Sequence, residues 1–110
     1  TTIKAFNEDV EIELGSAIYS DSNRPCIIAY VVENNQLVET WGKVTVNVSE
    51  IPLEDNEIIV KVHSENEWVS QLLELFPNVF SDTGKRIESG FAELQVWKLL
   101  QKISSDETMT

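Results

Sequence analysis

The chain has 110 residues, of which 19 are acidic and 8 are basic, and its formal net charge at pH 7 is −11. This charge repels nucleic acid and anionic membrane surfaces, which argues against direct binding to either. The sequence contains no run of 18 apolar residues and does not open with basic residues followed by apolar ones. We therefore expect neither a membrane span nor a signal peptide.

The length and the hydrophobic fraction of 42% fit one folded domain. We predict a single α+β domain over residues 1–103 and a flexible polar tail over residues 104–110. Cys26 is the only cysteine, so it cannot form a disulfide within the chain. Its apolar neighbours predict a buried side chain, and a lone thiol is typical of a reducing compartment. We therefore predict a cytoplasmic protein.

The first predicted element is a β-hairpin that carries a row of acids. Residues 2–6 and 10–14 alternate between apolar and polar side chains on either side of residues 7–9, which is typical of two strands joined by a turn. This alternation places Asp9, Glu11 and Glu13 together on the solvent face. Side chains two positions apart on a strand are about 6.5–7 Å apart, near the spacing of successive phosphates along one DNA strand.

Further strands are predicted in the middle of the chain. Residues 26–33 are almost wholly apolar, which indicates a central strand covered on both faces. Asn34 and Asn35 favour a tight turn because asparagine tolerates positive φ. The return strand is predicted from Leu37 to about Val48, with a bulge at Gly42, and another strand follows over residues 58–62.

One helix is predicted, over about residues 65–76. Ser64 and Glu67 have the spacing of a capping box, apolar side chains then recur at helical intervals, and Pro77 ends the pattern. A final strand region starts at Ile87, with an interruption near residues 89–90, and continues to Leu100. The predicted fold is thus an antiparallel sheet of five or six strands with one helix packed on one face. The helical side chains expected to pack on the sheet are Trp68, Leu72, Leu75 and Phe76.

The sequence shows no motif for catalysis, for a metal or for a cofactor. The four glycines do not form a phosphate-binding cluster, and no nucleophile elbow is present. The acidic loop Glu54–Glu57 lacks the regular spacing of a calcium-binding loop. We therefore predict a protein that is not an enzyme and that has no cofactor.

Four short motifs carry a resemblance to a known family: residues 45–48 (TVNV), 58–62 (IIVKV), 64–67 (SENE) and 83–91 (TGKRIESGF). The chain resembles a bacterial family catalogued as a domain of unknown function, whose members are encoded on plasmids, conjugative elements and phages. The resemblance covers about residues 25–100, implies a small α+β fold and a mobile-element origin in a bacterial host, and implies no catalytic residues.

The charge and the resemblance together predict an anti-CRISPR or antirestriction protein. Such a protein would bind the basic nucleic-acid groove of a host CRISPR effector or restriction enzyme by presenting carboxylates in place of phosphates. The alternative is an accessory protein-interaction module of a plasmid or conjugative element, whose charge serves solubility. The sequence leaves the oligomeric state open. The predicted partner contacts are Glu8, Asp9, Glu11, Glu13, Glu54, Asp55 and Glu57.

Overall fold

The computed structural model of the chain describes residues 1–20, 23–48, 50–62, 64–90, 92–101 and 103. Its first sheet has four antiparallel strands in the order β1-β2-β3-β4, each joined to its neighbour in sequence. These strands are β1 (Thr2–Ala5), β2 (Glu8–Ile18), β3 (Pro25–Glu33) and β4 (Gln36–Lys43).

A second sheet contains three antiparallel strands in the order β5-β7-β6. These strands are β5 (Glu57–Val60), β6 (Phe80–Ser89) and β7 (Ala92–Leu99). The structure therefore has α+β character, with mostly strands and one short helical region, as predicted. The prediction of one sheet of five or six strands was wrong, because the strands divide into sheets of four and three. The last strand region was also predicted too short, since β6 already begins at Phe80.

The two sheets separate just after β4. The amide of Val44 still donates to the carbonyl of Ile27 in β3, at 2.8 Å, but the amide of Val46 donates to the carbonyl of Ile59 in β5, at 2.9 Å. Thr45 lies between them and is buried, and its Oγ1 accepts from the amide of Ile27 at 3.2 Å. The predicted return strand to Val48 thus ends at Lys43, and the chain passes from one sheet to the other.

The helical region begins where the sequence predicts it but has a different geometry. It consists of a 3-10 helix over Ser64–Gln71 followed by one α-helical turn, α1, over Leu72–Leu75. Trp68 and Leu72 are buried as predicted, whereas Leu75 is 39% exposed and does not belong to the core. The Oγ of Ser70 donates to the carbonyl of Glu67 at 2.9 Å, a local bond of the kind that competes with regular helical bonding.

The 3-10 helix lies against both edge strands of the four-stranded sheet. Gln71 at its end bonds to the backbone of Lys4 in β1, and Asn66 near its start donates to the carbonyl of Lys43 in β4, at 3.4 Å. Covering open strand edges in this way prevents uncontrolled pairing with other chains. One short helix is thus bonded to both edge strands of this sheet.

The core fills the space that the two sheets and the helical region enclose. Alternate residues of β1, β2 and β3 point into it, which confirms the predicted pair of strands and its inward face. The turn between the two strands lies at residues 6–7 and not at the predicted residues 7–9. Cys26 is buried, as predicted. The fully buried side chains of the core cluster are Ile3, Ile12, Ile27, Ala29, Val44, Val60, Val69, Leu72 and Trp97.

Two predictions fall on parts of the chain that the structure leaves undescribed. The cap by the Ser64 side chain and the polar tail over residues 104–110 lie outside the described residues and side chains. Among the described helices, none is long and apolar enough to cross a membrane.

Candidate partner-binding surface

The acidic row, which we define as Asp9, Glu11 and Glu13, lies on the outer face of β2. All three side chains are exposed, and they alternate with Val10 and Ile12, which are buried in the core. Burial of these two residues determines which face of β2 points inward, so the carboxylates are held on a strand with a defined register. The structure therefore brings these three predicted contacts together on one face of one strand.

The neighbouring strands determine what surrounds the acidic row. Lys4 of β1 lies opposite Asp9, and Tyr30 of β3 lies opposite Glu13. Thr2 lies opposite Glu11, and its Oγ1 donates to Glu11 Oε1 at 3.1 Å. The amino group of Thr1 also contacts Glu11.

Glu8 stands next to the acidic row, at the first position of β2. Its side chain is exposed, and it pairs with Ala5 across the hairpin. Within the described part of the chain, no ion pair reaches Glu8, Asp9 or Glu13. Three exposed carboxylates of this hairpin are therefore available to a partner's cations.

The acidic loop Glu54–Glu57 lies against the other sheet and differs in its electrostatics. Glu54 and Asp55 are exposed, but Glu57 is only 6% exposed. Lys85 Nζ lies 2.8 Å from Glu57 Oε2, and the amide of Glu54 donates to Glu57 Oε1 at 2.9 Å. The bond from Lys85 is the main reason that the pKa of the Glu57 carboxyl lies below its ordinary value. Glu57 thus faces an internal partner, and the loop does not join the acidic row.

A second basic residue of β6 also binds carboxylates within the three-stranded sheet. Arg86 forms two bonds to Asp82, at 2.8 and 2.9 Å, and lies 3.9 Å from Glu93. These bonds lower the pKa of Asp82, with the side-chain bond from Arg86 as the largest cause. The described acids therefore differ in their partners: Glu57 and Asp82 of the three-stranded sheet are paired with Lys85 and Arg86, whereas Glu8, Asp9 and Glu13 of the β1–β2 hairpin have no ion pair within the described part of the chain.

An aromatic cluster, missed in the sequence, lies at the tip of the same hairpin. It consists of Phe6, Trp41 and Trp68, with ring centroids 6.2 Å apart for Phe6 and Trp41 and 6.4 Å apart for Trp41 and Trp68. The residues come from the β1–β2 turn, from β4 and from the 3-10 helix. No local pattern unites positions so far apart, so only the tertiary fold assembles the cluster.

Two features of β4 position the middle ring of this cluster. In the β3–β4 ladder, Ala29 pairs with Gly42 and Tyr30 pairs with Thr40, so Trp41 is the extra residue of a bulge. A bulge was predicted at Gly42, and the structure has one beside it, with Trp41 as the extra residue. A Cβ on Gly42 would lie 3.1 Å from Trp68 Cζ2, which shows how closely β4 approaches that ring. The indole Nε1–H of Trp41 is buried and has no acceptor among the described residues.

The surface around the hairpin tip is concave on two sides. A cavity of about 450 Å³ lies between β1 and the 3-10 helix, lined by Phe6, Val62, Trp68 and Gln71 among others. A second cavity of about 450 Å³ borders Phe6, Asn7, Glu8 and Asp9. Within the described residues, no group of three or more histidine, cysteine or acidic side chains is arranged to hold a metal ion.

Comparisons with protein-family models, with curated proteins and with solved structures give no match to this chain. The resemblance to the mobile-element family therefore stays a prediction from its short motifs.

Proposed function

We propose that this chain is a non-enzymatic protein-binding domain whose acidic row docks in the basic nucleic-acid groove of a partner protein. The partner is a host defence protein directed at nucleic acid, either a CRISPR effector or a restriction enzyme, and the chain acts as its phage or mobile-element inhibitor. The observation that supports this most is the difference in ion pairing between acids of the two sheets. Glu57 and Asp82 of the three-stranded sheet bind internal cations, while no ion pair reaches Asp9 or Glu13 among the described residues.

The backbone around the acidic row suits electrostatic docking. β2 pairs with β1 over residues 8–11 and with β3 over residues 12–18, so each carboxylate of the acidic row stands on a paired strand and not on a loose loop. Groups held in place lose less conformational entropy on binding than groups on a mobile segment. A negative field from a net charge of −11 also steers encounter with a basic groove.

The test is competition between this chain and target DNA. Two purified proteins would serve as probes, a guide-loaded Cas9-type effector and a type II restriction endonuclease, each with fluorescent duplex DNA that contains its target. We expect wild-type chain to displace the DNA. The triple variant Asp9→Asn, Glu11→Gln, Glu13→Gln should displace it on the order of 10–100-fold less well, because each lost charge contact removes about 0.5–1 kcal/mol.

A matched control distinguishes the effect of where the charges are removed from the effect of the lower net charge. The variant Glu33→Gln, Glu39→Gln, Glu74→Gln removes three exposed acids elsewhere, so both variants carry the same net charge. If both variants weaken displacement equally, the acidic row is not the contact surface. If wild-type chain leaves DNA binding by both probes untouched, the inhibitor proposal fails and the accessory interaction module is favoured.

A further inference from the structure

Phe6 has a backbone conformation that disfavours its side chain. Its φ is +53°, in the left-handed region, and the next residue, Asn7, has φ of +64°. A residue with a Cβ is strained in this region, and a bulky aromatic one especially so. Burial does not compensate for this strain, since the side chain of Phe6 is 71% exposed.

The same sheet contains a second turn of the same kind, which serves as an internal reference. Asn34 and Asn35 join β3 to β4 with φ of +54° and +65°. Both turns have two residues. The β1–β2 turn lies between the paired residues Ala5 and Glu8, and the β3–β4 turn lies between the paired residues Glu33 and Gln36. Asparagine is the expected residue at such positions because it tolerates positive φ. The β1–β2 turn thus has a phenylalanine where its counterpart has an asparagine.

Other local features point to the same place. The Phe6 ring contacts Trp41, whose indole N–H is buried without an acceptor among the described residues. Cavities flank Phe6 on two sides. Strain and an unpaired buried donor are the kind of local defects that folded proteins tolerate at functional sites. Glu8 and Asp9, both exposed, follow Phe6 along the hairpin after Asn7.

We propose that Phe6 is the apolar anchor of the partner interface and inserts into an apolar pocket rimmed by basic side chains on the partner. The proposal rests on the proposed function and names the residue that holds the complex together once charge has brought the two proteins into contact. Charge complementarity argues for this occupant, because the exposed residues Glu8 and Asp9 border the same cavity as Phe6. Interfaces commonly combine aromatic anchors at their centre with a polar rim.

This arrangement separates two kinetic roles. The acidic row acts at long range and should determine the association rate, since exposed charges steer encounter. Phe6 acts only after contact and should determine the dissociation rate, since anchor residues mainly affect how long a complex lasts.

The test is the substitution Phe6→Asn, which makes the β1–β2 turn match the β3–β4 turn. The matched control is Ile18→Thr, which removes a side chain of similar exposure, 68%, from the far end of β2. The dissociation rate from the guide-loaded effector or the restriction enzyme would be measured for wild type and both variants. We expect Phe6→Asn to dissociate on the order of 30-fold faster, the effect of losing an aromatic hot spot, with Ile18→Thr unchanged.

Thermal unfolding provides a readout that needs no partner. We expect the melting temperature of Phe6→Asn to equal or exceed that of wild type, because relief of backbone strain offsets the lost ring contact. A fall of more than about 4 °C, equivalent to about 1 kcal/mol for a domain of this size, would show that the fold itself requires Phe6 and would overturn the inference.

The outcomes for binding also distinguish the two proposals. If wild type binds a probe and Phe6→Asn dissociates at the same rate, the anchor is wrong while the acidic row stands. If wild type binds neither probe, the proposed function fails, and the anchor that rests on it fails too.

Discussion

Gln71 bonds to both backbone polar groups of Lys4. The amide N–H of Lys4 donates to Gln71 Oε1 at 2.9 Å, and Gln71 Nε2 donates to the carbonyl of Lys4 at 2.6 Å. The side-chain amide therefore occupies the position that a further strand would take beside β1. Since β1 is an edge strand, this pair closes part of an open sheet edge.

The first prediction concerns this pair. Gln71→Ala removes both hydrogen bonds and should lower the free energy of unfolding by about 1–2 kcal/mol. Amide exchange at Lys4 should become faster, because its N–H becomes open to water. The control is Ser70→Ala, whose hydroxyl bonds within the helix and not to β1. If exchange at Lys4 is the same in Gln71→Ala as in wild type, Gln71 does not protect this edge.

The second prediction tests which helical side chains belong to the core. Leu72 is fully buried, so Leu72→Ala should lower the free energy of unfolding by about 2–5 kcal/mol. Leu75 in the same turn is 39% exposed, and Leu75→Ala should cost less than about 1 kcal/mol. Chemical denaturation measures both values. Equal losses for the two variants would contradict the packing described here.

The third prediction concerns the approach of β4 to the aromatic cluster. In Gly42→Ala the new Cβ would lie 3.1 Å from Trp68 Cζ2, so we expect a loss of about 1–3 kcal/mol in unfolding free energy. Trp68→Phe removes the atom that the new Cβ meets. The double variant should therefore lose less than the sum of the two single variants, a coupling that a double-mutant cycle measures. If the two losses in unfolding free energy simply add, the strain in Gly42→Ala does not come from contact with Trp68.

The fourth prediction concerns pH. The pKa of Glu57 lies below its ordinary value of 4.5, mainly because Lys85 donates a hydrogen bond to the ionised form. A carboxyl with a lowered pKa stabilises the fold above its unfolded pKa, and this contribution is lost as the pH falls through its folded pKa. The melting temperature of Glu57→Gln should therefore lie below that of wild type at pH 7, and the gap should shrink below about pH 4.5.

Glu39→Gln provides the control for this titration, because Glu39 is exposed on β4. Its melting temperature should follow wild type across the same pH range. If the difference in melting temperature between wild type and Glu57→Gln stays constant down to about pH 2, the ion pair does not cause the pH dependence of stability.

The fifth prediction concerns salt. If the acidic row steers binding, the association rate with the effector or the restriction enzyme should fall steeply from low to physiological salt, where the screening length is about 8 Å. The dissociation rate should change less. The variant Asp9→Asn, Glu11→Gln, Glu13→Gln should show a shallower dependence than wild type. An association rate that does not change with salt would count against electrostatic docking but leave an apolar anchor possible.

Local patterns in the sequence were sufficient for several elements. Alternation over residues 10–14 predicted the inward face of β2, and Asn34–Asn35 predicted a tight turn that the structure confirms. The acidic row followed from the same alternation. These predictions succeed because side chains on a strand alternate between faces regardless of what lies beyond the strand.

Other features depended on contacts between distant residues. Alternation continues without a break through Val44 and Val46, so no local signal marks the passage of the chain from one sheet to the other. Phe6 is poorly suited to positive φ, so the turn was predicted at residues 7–9 and its exposed ring was missed. Glu57 was predicted to be an exposed contact because it is acidic. Only the fold places Lys85 beside it.

By itself the sequence thus determined the net charge, the amphipathic strands and the position of the helix, because these depend on composition and on short periods along the chain. The tertiary structure decided the division into two sheets, the pairing of Glu57 with Lys85 and the assembly of Phe6, Trp41 and Trp68 at one site. The physical reason is that curvature of a sheet, burial of a charge and contact between rings arise from interactions between residues far apart in sequence. Such interactions produce no pattern in the local sequence around either residue.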